Sequence, residues 1–196
     1  MRYMKNEPPL WLAILTVSIA STFYLYEFFV RVNLSVLTHQ LMQAFSMDAS
    51  VLGALSGSFY ITYSLMQIPA GYMGDRYGPR KMLFYAILVC ALATLAFSQA
   101  STLLPAFIAR LLIGLTASFA YIGPLMLTAR WFAPKHFAMI SGIIQATGSV
   151  GAILGEDFFS YLLQSYSWRH TLFSIACIGF VLSLLSWLVI RDNPPK

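Results

Sequence analysis

Six long apolar runs, separated by breaks too short to hold a soluble domain, dominate this chain of 196 residues. They cover approximately residues 10–37, 51–73, 82–98, 103–127, 137–163 and 168–190. About 20 apolar residues in helical form cross the hydrocarbon layer of a bilayer. The breaks carry turn or charge signals: Met47-Asp48, the stretch 74–81, Ser101-Thr102, Ala133-Pro134-Lys135 and the stretch 165–167. In hydrocarbon every backbone N–H and C=O must be satisfied within the chain, which leaves helices or closed barrels. A barrel shows alternating segments of about ten residues, and these runs are longer and continuous. The predicted fold is therefore an all-α integral membrane bundle of six transmembrane helices. Composition excludes the soluble alternative. Charged residues make up 10% of the chain, against roughly 25% in a soluble domain, too little to cover a water-facing surface.

The net charge of +5 does not point to nucleic acid, because the basic residues form no patch with interleaved aromatics. They sit between the apolar runs and report topology. With the N-terminus inside, Arg2, Lys5, Arg76, Arg80, Lys81, Arg130, Lys135, Arg191 and Lys196 fall on the inner side and Arg169 alone on the outer. Arg31 and Arg110 fall within spans. The expectation is a multi-pass protein of a cell membrane, the bacterial inner or plasma membrane, with both termini cytoplasmic and the lipid bilayer as its surroundings. Arg2, Lys5 and the run to Ser18-Ile19-Ala20 imitate a signal peptide. That run continues well past Ala20, so it is read as a span. Cys90 and Cys177 lie in different runs and read as small core residues. His39, His136 and His170 stand at run ends without metal-ligand spacing, so no metal or cofactor is expected.

The most specific stretch joins the second and third runs: Gly71-Tyr-Met-Gly-Asp75-Arg76-Tyr-Gly78-Pro79-Arg80-Lys81. Gly78 suits a left-handed helix end and Pro79 the first turn of the next helix. Asp75 is placed to accept from a helix N-terminus or to pair with an arginine. The whole spacing resembles the signature between the second and third helices of the major facilitator superfamily of secondary transporters, with Pro79 where many members have arginine. Arg110-Leu-Leu-Ile-Gly114 resembles the family's fourth-helix R-x-x-x-G element. Arg130-Trp131-Phe132-Ala-Pro134-Lys135, followed by Ser141-Gly142, is similar to its loop between helices four and five. Trp168-Arg169 opens the sixth run as in many members, and Gly148, Gly151 and Gly155 make a small-residue face for close packing. The resemblance runs from about Tyr24 to Asp192. Within the superfamily, Arg31-Val-Asn33-Leu-Ser35 resembles the first-helix motif of the organic-anion symporter branch, the hexuronate, aldonate and sialic-acid carriers. Val30 replaces an acid often found before that arginine, and Leu115-Thr-Ala-Ser118 lacks the glutamate common there.

An ionisable residue near the bilayer centre costs roughly 2.5–3.5 kcal/mol on insertion scales. Glu27 and Arg31 lie four residues apart, one above the other on a helix face. The resemblance implies that helices one and four line a central cavity, where Glu27, Arg31 and Arg110 would converge. The expectation is that Arg31 or Arg110 holds an anionic group of a small-molecule substrate while Glu27 takes and releases a coupling proton. An ion pair that merely neutralises itself is the simpler alternative. Tyr24, Asn33, Tyr60, Tyr63, Gln67, Tyr121 and Gln145 are polar candidates for the cavity wall, although tyrosine also serves helix packing and interfaces. Gly71, Asp75, Arg76, Gly78, Arg80 and Lys81 form the expected cytoplasmic gating motif. Glu156-Asp157 reads as a helix turn open to outer water, because adjacent carboxylates point about 100° apart. Pro69 and Pro124 lie within runs, where membrane helices tolerate them as kinks.

Members of the family are built from two six-helix halves around a central site, and six runs correspond to one N-terminal half, itself a nested three-plus-three pair. A second six-helix half is the expected partner: a continuation of the same gene, a split subunit, or a second copy. Secondary active transport as half of a twelve-helix carrier is the leading expectation. A non-transporting interaction or sensor protein built on a half-transporter, or a self-dimerising half-carrier, is the alternative. An enzyme is not expected. An intramembrane serine protease needs a Gly-x-Ser nucleophile with a histidine on another span, and an H-E-x-x-H zinc motif is absent from the sequence. A channel would show a paired pore motif or charged rings.

Overall fold

The computed structural model describes residues 9–194, so expectations resting on Arg2, Lys5, Pro195 and Lys196 lie outside the described residues. The described residues form α1 (Leu10–Val36), α2 (Thr38–Phe45), α3 (Ala49–Tyr77), α4 (Pro79–Gln99), α5 (Leu103–Trp131), α6 (Pro134–Leu162) and α7 (Trp168–Val189). Six are long; α2 is a short helix that the apolar runs did not announce, and it buries Leu41. Several helices outrun the apolar segments, because the i→i−4 ladder continues into water as readily as in lipid. Their ends follow from local chemistry. Asp48 accepts the Val51 N–H at 2.8 Å and caps α3. Prolines open α4 and α6, where the missing N–H costs nothing. Ser167 accepts the His170 N–H at the start of α7. Gly78, with φ of +85°, turns the chain from α3 into α4.

Five of the helices, α1, α4, α5, α6 and α7, are long and apolar enough to cross a membrane. The 29-residue α3 has the length but carries Ser56, Ser58, Thr62, Ser64 and Gln67 through its middle, which lowers its apolar content. It packs along α5 as a full member of the bundle.

The principal pairings are α1 with α6, α3 with α5 and α4 with α7. If the first three long helices are matched with the last three, α1·α6 maps onto α3·α5 and α4·α7 maps onto itself. That is the symmetry a three-plus-three repeat requires. One pair of contacts makes the same relation at side-chain level. Arg80, second residue of α4, donates through Nη2 and Nε to the Trp187 carbonyl near the end of α7, at 2.7 and 3.2 Å. Arg169, second residue of α7, donates to the Ser98 and Ala100 carbonyls at the end of α4, at 3.0 and 2.6 Å. Each guanidinium also covers a tryptophan, Arg80 on Trp187 at 4.6 Å and Arg169 on Trp168 at 4.3 Å. Each helix of the pair thus begins with the cation that satisfies the orphaned carbonyls and negative dipole of the other.

The Arg80 end of the bundle is tied further by Asp192, whose Oδ1 accepts the Arg80 N–H at 2.8 Å, and by the Trp131 Nε1–H, which donates to the Arg191 carbonyl at 3.0 Å. Asp75, expected as a partner for a helix start, is exposed and has no salt-bridge partner among the described residues. Asp192 takes that place because the chain leaving α7 passes directly over the start of α4. Arg76, Arg80, Lys81, Arg130, Lys135 and Arg191 gather at this end, and Arg169 stands at the other.

Candidate functional site

Glu27, Arg31 and Arg110 lie where α1 and α3 both pack on α5. Arg31 lies one turn after Glu27 on α1, and its Nε and Nη2 both reach Glu27 Oε1 at 2.9 Å. Glu27 is fully buried, whereas the Arg31 side chain keeps 18% of its surface exposed. Arg110 enters from α5, is 2% exposed, and shares the Phe59 ring with Arg31. The ion pair of the simpler alternative is present between Glu27 and Arg31, and Arg110 stands outside it. With two guanidiniums and one carboxylate the cluster carries a positive charge in excess.

The polar accounting of the cluster is also incomplete. Glu27 Oε2, Arg31 Nη2, whose contact with Oε1 lacks hydrogen-bond geometry, and the Nε and Nη1 of Arg110 are buried with no hydrogen-bond partner among the described residues. Orphans of this kind are expensive, and a buried charge without its counterion more so. What offsets the cost is aromatic. The Arg110 guanidinium lies 5.2 Å from the centroid of the Phe59 ring on α3, and that of Arg31 lies 5.1 Å from the same centroid. Arg31 also approaches Phe28 at 4.4 Å and Tyr63 at 5.0 Å. Tyr63 stacks on Phe59 with ring planes 10° apart.

Gly114 explains the R-x-x-x-G spacing physically. It stands one turn after Arg110 on α5, and a Cβ there would press onto the Phe59 carbonyl and approach Thr62 Oγ1 at 2.5 Å. Its missing side chain lets α3 lie against α5, where Thr62 donates to the Leu111 carbonyl at 2.8 Å. That contact delivers the Phe59 ring to Arg110.

The remaining candidates divide. Tyr24 donates to Gln145 Oε1 of α6 at 3.1 Å and packs on Tyr121 of α5 at 5.2 Å between centroids, so those three come together one turn along α1 from the charged cluster. Tyr60 packs edge-on against Phe59. Asn33 leaves α1 about 200° around the helix from Arg31, and its buried Oδ1 has no partner among the described residues. Glu156 and Asp157 are both exposed on α6. Ile14, Val17 and Ser21 continue the Tyr24–Phe28–Arg31 stripe along α1 towards the Arg80 end. There α1 and α6 diverge to leave a cavity of about 620 Å³, walled on α6 by Met139, Ile143 and Thr147. The charged triad does not line that cavity. At the opposite end the two helices close on Gly148, Gly151 and Gly155, where added side chains would meet Tyr24, the Leu25 backbone and Val32.

Sequence reasoning missed Phe59 and Asp192. The first had a faint signal, an aromatic four residues before Tyr63 on a helix with polar flanks. Asp192 had a weaker one, an acid just past a helix end.

The chain is 28% identical over 172 residues to the uncharacterized transporter YybO of Bacillus subtilis (strain 168), covering 87% of this chain and 39% of that protein. It is 24% identical over 170 residues to the probable galactarate/D-glucarate transporter GudP of Escherichia coli (strain K12), covering 84% of this chain and 38% of that one. The chain therefore spans about two-fifths of the length of these curated relatives. In three dimensions it resembles the inward-facing, unoccupied crystal structure of a bacterial homolog to the human lysosomal transporter Spinster. The TM-score is 0.83 at 18% identity, over 94% of this chain and 45% of that one, and this likeness bears on fold alone. The Major Facilitator Superfamily model matches residues 10–196, nearly the whole of the helical bundle described above, and the chain belongs to that family.

Proposed function

We propose that this chain is the anion-receiving half of a secondary active transporter, working by alternating access with a second six-helix bundle. The observation that carries the reading is the excess positive charge at Glu27, Arg31 and Arg110. The one carboxylate is taken by the part-buried Arg31, and the buried Arg110 keeps two N–H-bearing nitrogens without partners among the described residues. A small organic anion supplies the missing acceptors. The name of a relative, a probable galactarate/D-glucarate transporter, agrees with carboxylate cargo. Asymmetric placement of basic residues supports the Arg80 end facing the cytoplasm, with both termini there and the bacterial inner membrane as the location. Nothing in the reading requires catalysis or a cofactor.

Glu27 is the proposed coupling site. When it is ionised it occupies Arg31 and leaves Arg110 alone for the cargo. When it takes a proton Arg31 is released as well, so a dianion can bridge the two arginines. Proton uptake and anion binding then favour each other, which is the thermodynamic requirement for symport. Gly71, Asp75, Arg76, Gly78, Arg80 and Lys81 make the proposed gating segment: Arg80 is locked to Trp187 and Asp192, while Asp75, Arg76 and Lys81 remain exposed for a partner bundle.

The test is transport in proteoliposomes containing the chain together with its second half, with D-glucarate and D-glucuronate as cargo. Glu27→Gln is expected to abolish proton-driven accumulation while preserving exchange of internal for external anion. Accumulation retained in that variant would remove Glu27 from the coupling role.

A further inference from the structure

Phe59 touches both arginines of the cluster and is itself completely buried. Its position matters because of what surrounds it. Arg110 offers Nε and Nη1 with no acceptor, and Glu27 offers Oε2 with no donor. These groups belong to helices that pack directly on each other. Left to itself, a buried guanidinium would swing onto a free carboxylate oxygen, since pairing removes two penalties together. The structure instead keeps Arg110 on the ring of Phe59.

An aromatic face attracts a cation, and the attraction is strongest where both are desolvated, as here. A benzene ring also has a fixed shape and no flexible arm. Phe59 is set by backbone packing at Gly114 and by parallel stacking on Tyr63, so the ring cannot follow the guanidinium if it moves. From this geometry we infer that Phe59 is a positioning residue that holds Arg110 away from Glu27, keeping one arginine uncommitted so that the bundle can receive a carboxylate. The inference rests on the anion reading above for its functional consequence. Its structural content is independent: without the ring, Arg110 closes onto Glu27 and no guanidinium is left uncommitted.

Two properties of Phe59 separate this role from plain core packing. Replacing its ring hydrogens by fluorine drains the negative face with little change of shape, so a packing role is unaffected and a cation-holding role is weakened. Removing the competing acid should also matter. If loss of the ring does harm only by letting Arg110 reach Glu27, then Glu27→Gln must repair it.

The experiment uses the full chain in lipid nanodiscs, with D-glucarate and D-glucuronate as binding probes. Singly to triply fluorinated phenylalanine at position 59 is expected to weaken binding in steps, to about tenfold at full substitution, the change that about 1.4 kcal/mol produces. Phe59→Leu is expected to lose binding to a similar degree, and Phe59→Leu with Glu27→Gln to regain it. A ligand-free measurement runs beside these. The carboxylate stretch of Glu27, identified in carbon-13 glutamate infrared spectra by its loss in Glu27→Gln, is expected to shift in Phe59→Leu as the second arginine arrives. Binding indifferent to fluorination, no repair by Glu27→Gln, or an unmoved Glu27 band would overturn the role of Phe59. If the unaltered chain binds neither probe, the anion reading falls, and the infrared band alone then decides whether Phe59 holds the arginine.

Discussion

Gly114→Ala is the sharpest perturbation of the architecture that builds the site. The added methyl would press onto the Phe59 carbonyl and lie 2.5 Å from Thr62 Oγ1 and 2.8 Å from the Phe59 carbonyl carbon. Two of these are backbone atoms of an adjacent helix, which no rotamer change can move, so α3 and α5 must separate. Overpacking of this kind costs about 1–3 kcal/mol. Separation also breaks the hydrogen bond from Thr62 to the Leu111 carbonyl, worth about 0.6 kcal/mol between membrane helices. Alanine's better helix propensity returns at most about 1 kcal/mol, leaving a net loss on the order of 1–3 kcal/mol. Gly57 on α3 supplies the control, because a Cβ there meets nothing within 4 Å. Gly57→Ala should be neutral or stabilising by the same propensity difference. Denaturant unfolding of the purified chain in micelles, followed by tryptophan fluorescence, compares the two directly. Anion binding should fall in Gly114→Ala as Phe59 withdraws from Arg110. Equal midpoints for the two variants would refute the claim that the glycine sets the α3–α5 distance.

Other outcomes follow from the same structure. Arg110→Met replaces a buried cation lacking an acid at hydrogen-bond distance, so it should raise the unfolding midpoint, the insertion penalty of about 2.5–3.5 kcal/mol being removed, while eliminating anion binding; a lower midpoint would mean that the arginine serves the fold. Arg169→Ala should cost about 1–2 kcal/mol, from two hydrogen bonds to α4 carbonyls and a favourable helix-end charge. Arg80→Ala should cost a similar amount, and because the two lie at opposite ends the losses should add; strong non-additivity in a double-mutant unfolding cycle would argue against independent clamps. Asp192→Ala should lose about 1 kcal/mol by uncapping α4, and Asp192→Asn much less, read from the same unfolding curves.

How much of this was legible in the amino-acid order depended on the physics involved. Hydrocarbon admits only chains that satisfy their own backbone, so six long apolar runs with short breaks already imply a helical membrane bundle. Unequal distribution of Lys and Arg between the breaks is likewise visible without coordinates, because it concerns residues and not contacts. The motifs at Gly71–Lys81 and Arg110–Gly114 pointed to the family, since their spacing reflects helix ends and one helical turn. Glu27 and Arg31 were readable as a pair because four residues make neighbours on any helix.

Other features needed the packed bundle. That Arg110 reaches the same ring as Arg31, that Phe59 is this ring, and that Asp192 rather than Asp75 caps α4 are relations between residues 28 to 112 positions apart, and no local period encodes such distances. The short helix α2 belongs here too, because no apolar run announces it. Local chemistry selects helices and their ends; which faces meet is decided when glycines such as Gly114 and Gly151 let backbones approach closely, and the charges are left facing one another inside.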